Sequence, residues 1–407
     1  MRLTVARLGA RGDGVAEGPV HVPGALPGEV VEGEVAAGRM AAPRIVTPSP
    51  DRVRPPCRHA RTCGGCTLMH AADGFLAGWK QAQVTAALDR AGIAGIQGLM
   101  RPIVTSPPRS RRRAAFAGRR TRAGAVVGFH GRASETIADI ADCLLIDPAL
   151  VRLLPALRRI TALGASRRGT LGLTATLTAT GTDLAVTGGL PADPALAAAL
   201  AAIAAAEGIA RLTWDGATLA QTARPAVPLG RALVPLPPGA FLQATPQGEA
   251  ALVAAVREAV DGAARVADLF AGCGTFALPL AEAAEVHAVE ADAAMLAALD
   301  AGWRATPGLH RLTTEARDLH RRPLGPDELA RHDAAVIDPP RAGAEAQARQ
   351  IAASPLRRLA AVSCDPASFA RDAAILVAGG FRPDWVQVVD QFRWSPHIEI
   401  AACFSRP

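Results

Sequence analysis

The chain has 407 residues, half of them hydrophobic, and a formal net charge of +7, which suits two or three domains with ample core and a polyanionic partner. Its most apolar stretch, Leu196 to Ala210, is alanine-rich and too short to cross a membrane, so a membrane-embedded protein is excluded as an expectation. The opening MRLTVARLGARGDGV lacks the layout of an export leader, so a cytoplasmic protein is expected, and its seven cysteines point to metal binding or catalysis before disulfides.

Residues 1–54 read as a small β unit. Short strand-like runs (LTVARL, GPVHVP, EVVEGEV, PRIVT) are punctuated by Gly and Pro, a pattern that suits a five-stranded barrel of the oligonucleotide-binding (OB) type. Residues 55–233 form a central segment. It opens with Cys57, Cys63 and Cys66, spaced C-x5-C-x2-C, and a fourth cysteine, Cys143, stands alone in ADCLLID. An amphipathic helix is expected from Phe75 to Arg90. Of the 44 basic residues only Lys80 is a lysine, and eight arginines without an acid fall between Arg101 and Arg122. Such a run is either a solvated basic face or a phosphate-binding one. The alternating stretches AVVGFHG, TLGLTATLTAT and DLAVTGG predict an antiparallel sheet, and Leu196 to Glu207 a helix.

From Val234 to Pro407 the pattern changes. Apolar strands at ARVADLF, EVHAVE, DAAVIDPP and LAAVSC each precede a helix-compatible segment, which predicts a doubly wound, Rossmann-like parallel sheet. The chain as a whole is therefore expected to be a multidomain α/β protein.

Every candidate functional residue of this last segment lies at a strand end, where such sheets bind ligands. The run Asp268-Leu-Phe-Ala-Gly-Cys-Gly-Thr-Phe276 has two glycines that permit a tight turn, but Ala277 stands where a dinucleotide fingerprint needs a third. Glu290, 22 residues beyond Asp268, is placed to accept from ribose hydroxyls. Together they suit an adenosine and amino-acid ligand. Asp338 precedes two prolines that stiffen the backbone in VIDPPRAG. Cys364, in SCDPASFARD, is either a core thiol or a nucleophile at the start of a helix, which would favour its thiolate. Glu399 is a carboxylate inside an apolar strand, an unusual core residue, and His397 two positions away is the alternative base. Four cysteines complete either a zinc site or an iron–sulfur cluster, and spacing alone does not choose. His59 and His70 flank them.

Six segments, FLQATPQ, DLFAGCGTF, AVEAD, DPPRAG, SCDPASFARD and SPHIEIAACF, resemble in order the RNA uracil-5-methyltransferase family. The resemblance implies that Gln243, Phe270, Thr275, Glu290 and Asp338 bind S-adenosylmethionine, that Cys364 is the nucleophile and that Glu399 accepts a proton. CRHARTCGGCTLMH resembles the [4Fe–4S] segment of the ribosomal-RNA branch, which implies that Cys57, Cys63, Cys66 and Cys143 hold a cluster. GDGVAEG…VPGALPGEVV resembles the TRAM domain, an RNA-binding barrel. These likenesses favour 23S ribosomal RNA over transfer RNA as substrate. Rival readings are an amino-methyltransferase, because D-P-P-R alone does not choose the target atom, and a non-catalytic iron–sulfur RNA-binding protein. The chain departs from the family in having no tyrosine and in the arginine content of SPPRSRRRAAF.

Overall fold

The computed structural model describes all 407 residues. At the N-terminus, five antiparallel strands pair in the order Val20–Val22, Gly14–Ala16, Arg2–Leu8, Val30–Glu32, Arg44–Thr47. Their inward residues gather around Val5, Val22, Val31 and Met40. Glu29 is fully buried beneath them; it accepts from Leu26 N (2.8 Å) and Ser49 N (3.1 Å) and pairs with Arg52. A buried carboxylate with this many partners fastens the outgoing chain to the sheet.

The central part is a seven-stranded sheet backed by helices Leu154–Gly164 and Pro194–Ala206. It is antiparallel as expected except for one pair: Gly181–Thr187 and Ile209–Trp214 run parallel, because helix Pro194–Ala206 carries the chain back between them. The expected helix at 196–207 is this element. The arginine-rich run does not form one solvated face. Arg113–Thr121 is an interior strand of this sheet. Arg112 is buried, donates to Gln243 O (3.1 Å) and pairs with Glu249, while Arg101 pairs with Glu258 at 2.5 Å. These two arginines tie the central part to the C-terminal part.

The C-terminal part is an eight-stranded sheet. In chain order its long strands are β1 (Arg265–Leu269), β2 (Glu285–Glu290), β3 (Leu312–Ala316), β4 (Ala334–Ile337), β5 (Arg358–Ser363), β6 (Arg382–Asp390) and β7 (Glu399–Ser405). Their spatial order is β3-β2-β1-β4-β5-β7-β6, with Val104–Thr105 added at the edge of β6. β1 to β5 are parallel and β7 inserts antiparallel between β5 and β6. Period-two alternation feeds two cores. Val266, Ala288, Val336 and Val362 face one layer of helices; Leu269, Val289, Ile337 and Ala361 face the other. That second layer includes helix α1 (Asp73–Arg90), which crosses from the central segment and buries Val84 and Leu88 against the C-terminal sheet.

Candidate active site

The sheet order reverses between β1 and β4, so a crevice opens beyond their carboxyl ends. The turn after β1 folds over this crevice. Phe270 N and Ala271 N both donate to Val289 O, at 2.9 and 3.1 Å. Phe270 sits at φ 66°, a strained position for a residue with a side chain, and its ring lies 5.3 Å from that of His320. Gly274, at φ 95°, has no room for a Cβ, which would stand 2.9 Å from Leu299. Thr275 follows it in the same turn and makes no hydrogen bond to the other candidate residues. Glu290, at the end of β2, is held by three backbone amides: Gly272 N at 3.1 Å, Ala291 N at 2.7 Å and Asp292 N at 3.0 Å.

Asp268 was part of the motif but not among the expected ligand-binding residues. It is fully buried, and neither of its carboxylate oxygens has a hydrogen-bond partner. Burial, then the nearby charge of Asp338, pushes its pKa up to about 8. An orphaned carboxylate beside two further acids is a place for a cationic ligand. A sulfonium and an ammonium group fit this demand, as do the glycine turn and Glu290 for an adenosine.

Beyond β4 and β5 lies the second half of the site. Ser363 pairs with Ile400 as the last rung of that antiparallel register, and Cys364 follows directly, near enough to Glu399 at the start of β7 for its charge to act on the thiol. Glu399 pairs with Val389 and is 4 % exposed. Burial, then the charge of Asp338, raises its pKa to about 8, while the Gln391 amide opposes the rise. Burial likewise pushes the Cys364 thiol up to about 11, aided by Glu399 and Asp338 and opposed by Arg341. The helix Pro366–Ala378 does begin beside Cys364, with Asp365 capping Ala367 N and Ser368 N at 2.9 and 3.0 Å. Its expected thiolate-favouring influence is nevertheless outweighed, because the thiol is desolvated and faces two carboxylates. Burial also brings the Asp338 pKa to about 7.

The structure brings Gln243 and Asp338 together: Gln243 Nε2 donates to Asp338 Oδ2 at 3.5 Å. Sequence reasoning missed Gln391, which orders this contact. Its Oε1 accepts from Ala244 N (2.9 Å) and Thr245 N (3.4 Å), so its amino group must donate to Gln243 Oε1 at 2.5 Å. A chain of hydrogen bonds thus runs from Gln391 through Gln243 to Asp338, and Gln391 lies near enough to Glu399 to oppose the rise in its pKa. The available signal was a polar residue closing the apolar run WVQVV. His397 does not share a strand face with Glu399, because β7 starts at Glu399 itself. Its ring is exposed and meets Arg341 Nη2 at 2.9 Å.

Outside the crevice is a cavity of about 590 Å³ that Arg11, Arg39, Arg111, Arg132, Arg341 and Arg393 line. They come from all three parts of the chain, and Asp13 is the one acid among them, bonded to Arg39 at 3.0 Å and to Arg132. Arg111 also borders a second cavity, of about 230 Å³, where Cys57, Cys63, Cys66 and Cys143 converge. Burial pushes the Cys66 thiol up to about 12 and raises those of Cys63 and Cys143. Three sulfurs accept backbone N–H bonds: Cys57 from His59 (3.4 Å), Cys63 from Gly65 (3.5 Å) and Cys143 from Leu145 (3.4 Å). No three His, Cys, Asp or Glu side chains stand close enough to hold a single metal ion. His59 instead accepts from Ala141 N at 3.4 Å.

No protein-family model matches the chain. An RNA methyltransferase of Brucella suis is 43 % identical over 408 residues, covering 100 % of this chain and 98 % of the relative. One of Caulobacter vibrioides is 45 % identical over 418 residues, covering 99 % of each. The 23S rRNA (uracil(1939)-C(5))-methyltransferase of Chromohalobacter salexigens is 35 % identical over 436 residues, covering 99 % of this chain and 89 % of that one. In fold, the chain is similar to the tRNA (uracil-54, C5)-methyltransferase of Pyrococcus abyssi, solved with S-adenosyl-L-homocysteine, with a TM-score of 0.78 at 19 % identity and 99 % coverage of both chains.

Proposed function

The chain belongs to the RNA uracil-C5 methyltransferase family and is an S-adenosylmethionine-dependent enzyme, and we propose that it methylates C5 of a uridine in 23S ribosomal RNA through a covalent adduct of Cys364. The observation that carries this reading is the placing of Cys364, just past the end of β5, beside Glu399 at the start of the neighbouring β7.

Uracil C5 is too weak a nucleophile to attack a sulfonium methyl group unaided. Once its proton has passed to solvent, the Cys364 thiolate adds to C6, and the C5=C6 electron pair moves onto C5 and O4 as an enolate. S-adenosylmethionine supplies the methyl group, which C5 takes as the C–S bond to the donor breaks. Glu399 then removes the C5 proton, C5=C6 re-forms, and the C6–S bond breaks to release the thiolate. Both groups must lose protons to act. Asp268 and Asp338 would face the donor, whose positive charge would offset the negative charge that holds those protons on. Gln243, Phe270, Thr275, Glu290 and Asp338 are the residues that would hold the donor.

RNA reaches the site across the arginine cavity, whose charge suits phosphates flanking a base turned out of its stack. The N-terminal sheet of the 1–54 unit, in the role of a TRAM-type barrel, contributes Arg11 and Arg39 to it. The four cysteines would hold a [4Fe–4S] cluster. They line one cavity, three of their sulfurs take backbone N–H bonds, and the resemblance of CRHARTCGGCTLMH to a cluster-binding segment is what favours a cluster over zinc. The cluster would tie the segment Cys57–Cys66 to the sheet-bearing segment around Cys143 within the central unit, residues 55–233. The ribosomal substrate is supported by the 35 % identical relative and by this cysteine set. A cytoplasmic location follows from such a substrate, and no helix is long and apolar enough to cross a membrane.

The test uses ribosomal RNA bearing 5-fluorouridine, in which the C5 substituent cannot leave as a proton. The wild-type enzyme with donor should form a denaturation-resistant protein–RNA adduct, and Cys364→Ala should form none and make no 5-methyluridine. An active Cys364→Ala variant points to amino-methylation instead. Adducts with transfer RNA but not ribosomal RNA reassign the substrate.

A further inference from the structure

Lys80 is the only lysine in the chain, and its side chain is wholly buried. It occupies the middle of an apolar stripe on α1, with Leu76, Val84 and Leu88 at spacings of four, all buried. A leucine or methionine at position 80 would complete that stripe. What the ammonium does instead is reach the chain that leads into the base-bearing strand. Lys80 Nζ donates to Asp390 Oδ1 at 2.6 Å and to Phe392 O at 3.2 Å. The same Asp390 oxygen accepts from Phe392 N at 3.0 Å. One buried ion pair thus engages both polar groups of the Phe392 backbone, whose oxygen also accepts from Ser395 N and Oγ.

Asp390 ends β6 and Glu399 begins β7, so residues 391–398 are the loop between them. At its start is Gln391, the amide between Glu399 and Gln243. α1 grips the loop a second time: Asp73, in its first turn, accepts from Trp394 Nε1 at 3.3 Å and pairs with Arg393. Just before α1, Leu68 N donates to Trp394 O at 2.9 Å, two residues after Cys66. The helix that leaves the cysteine cavity thus holds the loop at both Asp390 and Trp394.

We propose that Lys80 is a positioning residue for the methyl-transfer reaction, setting the 391–398 loop so that Glu399 and Gln391 face the C5 position of the bound base. The proposal rests on the functional reading above. An ion pair this deeply buried contributes little net stability against apolar replacements of similar size, while it dictates geometry. A base displaced by about 1 Å loses on the order of a hundredfold in rate. The glycine turn and Glu290 lie outside this loop, whereas Phe392, Arg393 and His397 carry it into the arginine cavity, so RNA binding shares part of the dependence.

The experiment compares full-length wild type with Lys80→Met/Asp390→Asn, in which both charges are gone and the asparagine can still accept from Phe392 N. The double variant should unfold cooperatively near the wild-type Tm and keep KM for the donor within about twofold, while kcat at saturating RNA falls roughly ten- to a hundredfold. Because proton removal is the step that needs Glu399, a covalent adduct with ordinary uridine should accumulate. Asp390→Asn alone, which leaves Lys80 a neutral acceptor, should show a smaller fall in kcat with the same adduct. A folded double variant, or a folded Asp390→Asn, that turns over at the wild-type rate with no adduct overturns the proposal. A wild-type enzyme that forms no adduct with 5-fluorouridine RNA overturns the functional reading instead.

Discussion

Replacing Glu399 by glutamine should give a protein that is more stable than wild type above neutral pH and almost inactive. Glu399 is 4 % exposed, and burial beside Asp338 raises its pKa from 4.5 to about 8. The folded state therefore holds this proton more tightly than the unfolded chain does. Its contribution favours folding below pH 4.5 and declines as pH rises towards about 8, where the buried carboxylate ionises. At pH 7 the unfavourable contribution is on the order of 3 kcal/mol, less whatever Asp338 shares. Glutamine has the same shape and no charge, so the variant should gain stability that is absent near pH 4.5 and grows up to about pH 8. Denaturant unfolding at several pH values measures the difference without donor or RNA. Meanwhile kcat should fall by roughly 10²- to 10⁴-fold, and the adduct with natural uridine should persist. A Glu399→Gln enzyme that turns over normally, or one less stable than wild type at pH 8, would refute the assignment of Glu399 as a desolvated base.

Phe241, in the loop before Gln243, is the only exposed residue among ten phenylalanines and five tryptophans. Phe241→Ala should raise KM for RNA by about 1–3 kcal/mol of lost base stacking and leave KM for the donor unchanged, while Phe241→Trp keeps both. Cys143→Ala should abolish bound iron and sulfide, which anaerobic purification and metal analysis would detect in equal amounts in wild type; a wild type carrying only zinc contradicts the cluster. Arg132 lines the arginine cavity opposite Asp13, and Arg132→Ala should weaken RNA binding and lower the slope of log K against log salt by about 1. An unchanged slope would mean that no phosphate sits there.

Much of the C-terminal architecture was readable because its determinants are local. Four apolar runs, each followed by a helix-compatible segment, specify parallel strands, and Gly272 and Gly274 mark a turn that only a residue without a side chain can make so tightly. The central sheet was readable in part. Alternation announces strands, but the parallel pairing of Gly181–Thr187 with Ile209–Trp214 depends on how helix Pro194–Ala206 packs, which alternation does not encode. The arginine run misled for a similar reason: charge along a chain says nothing of the acids folded against it, such as Glu249 and Glu258.

Sequence by itself determined the inventory of the site: a glycine turn, acids at strand ends, a cysteine before a helix and a carboxylate in an apolar strand. Only tertiary structure decided how they act together. Cys364 comes beside Glu399 because β7 inserts antiparallel against β5, pairing Ser363 with Ile400 next to them. The same folding strips water from both and sets them beside Asp338, so the thiol and the acid hold their protons instead of losing them. Lys80 looked like a helix residue and proved to be a strut, because only the packed fold brings its ammonium to Asp390, 310 residues away. Side-chain chemistry is local; the field and the partners that tune it come from distant chain.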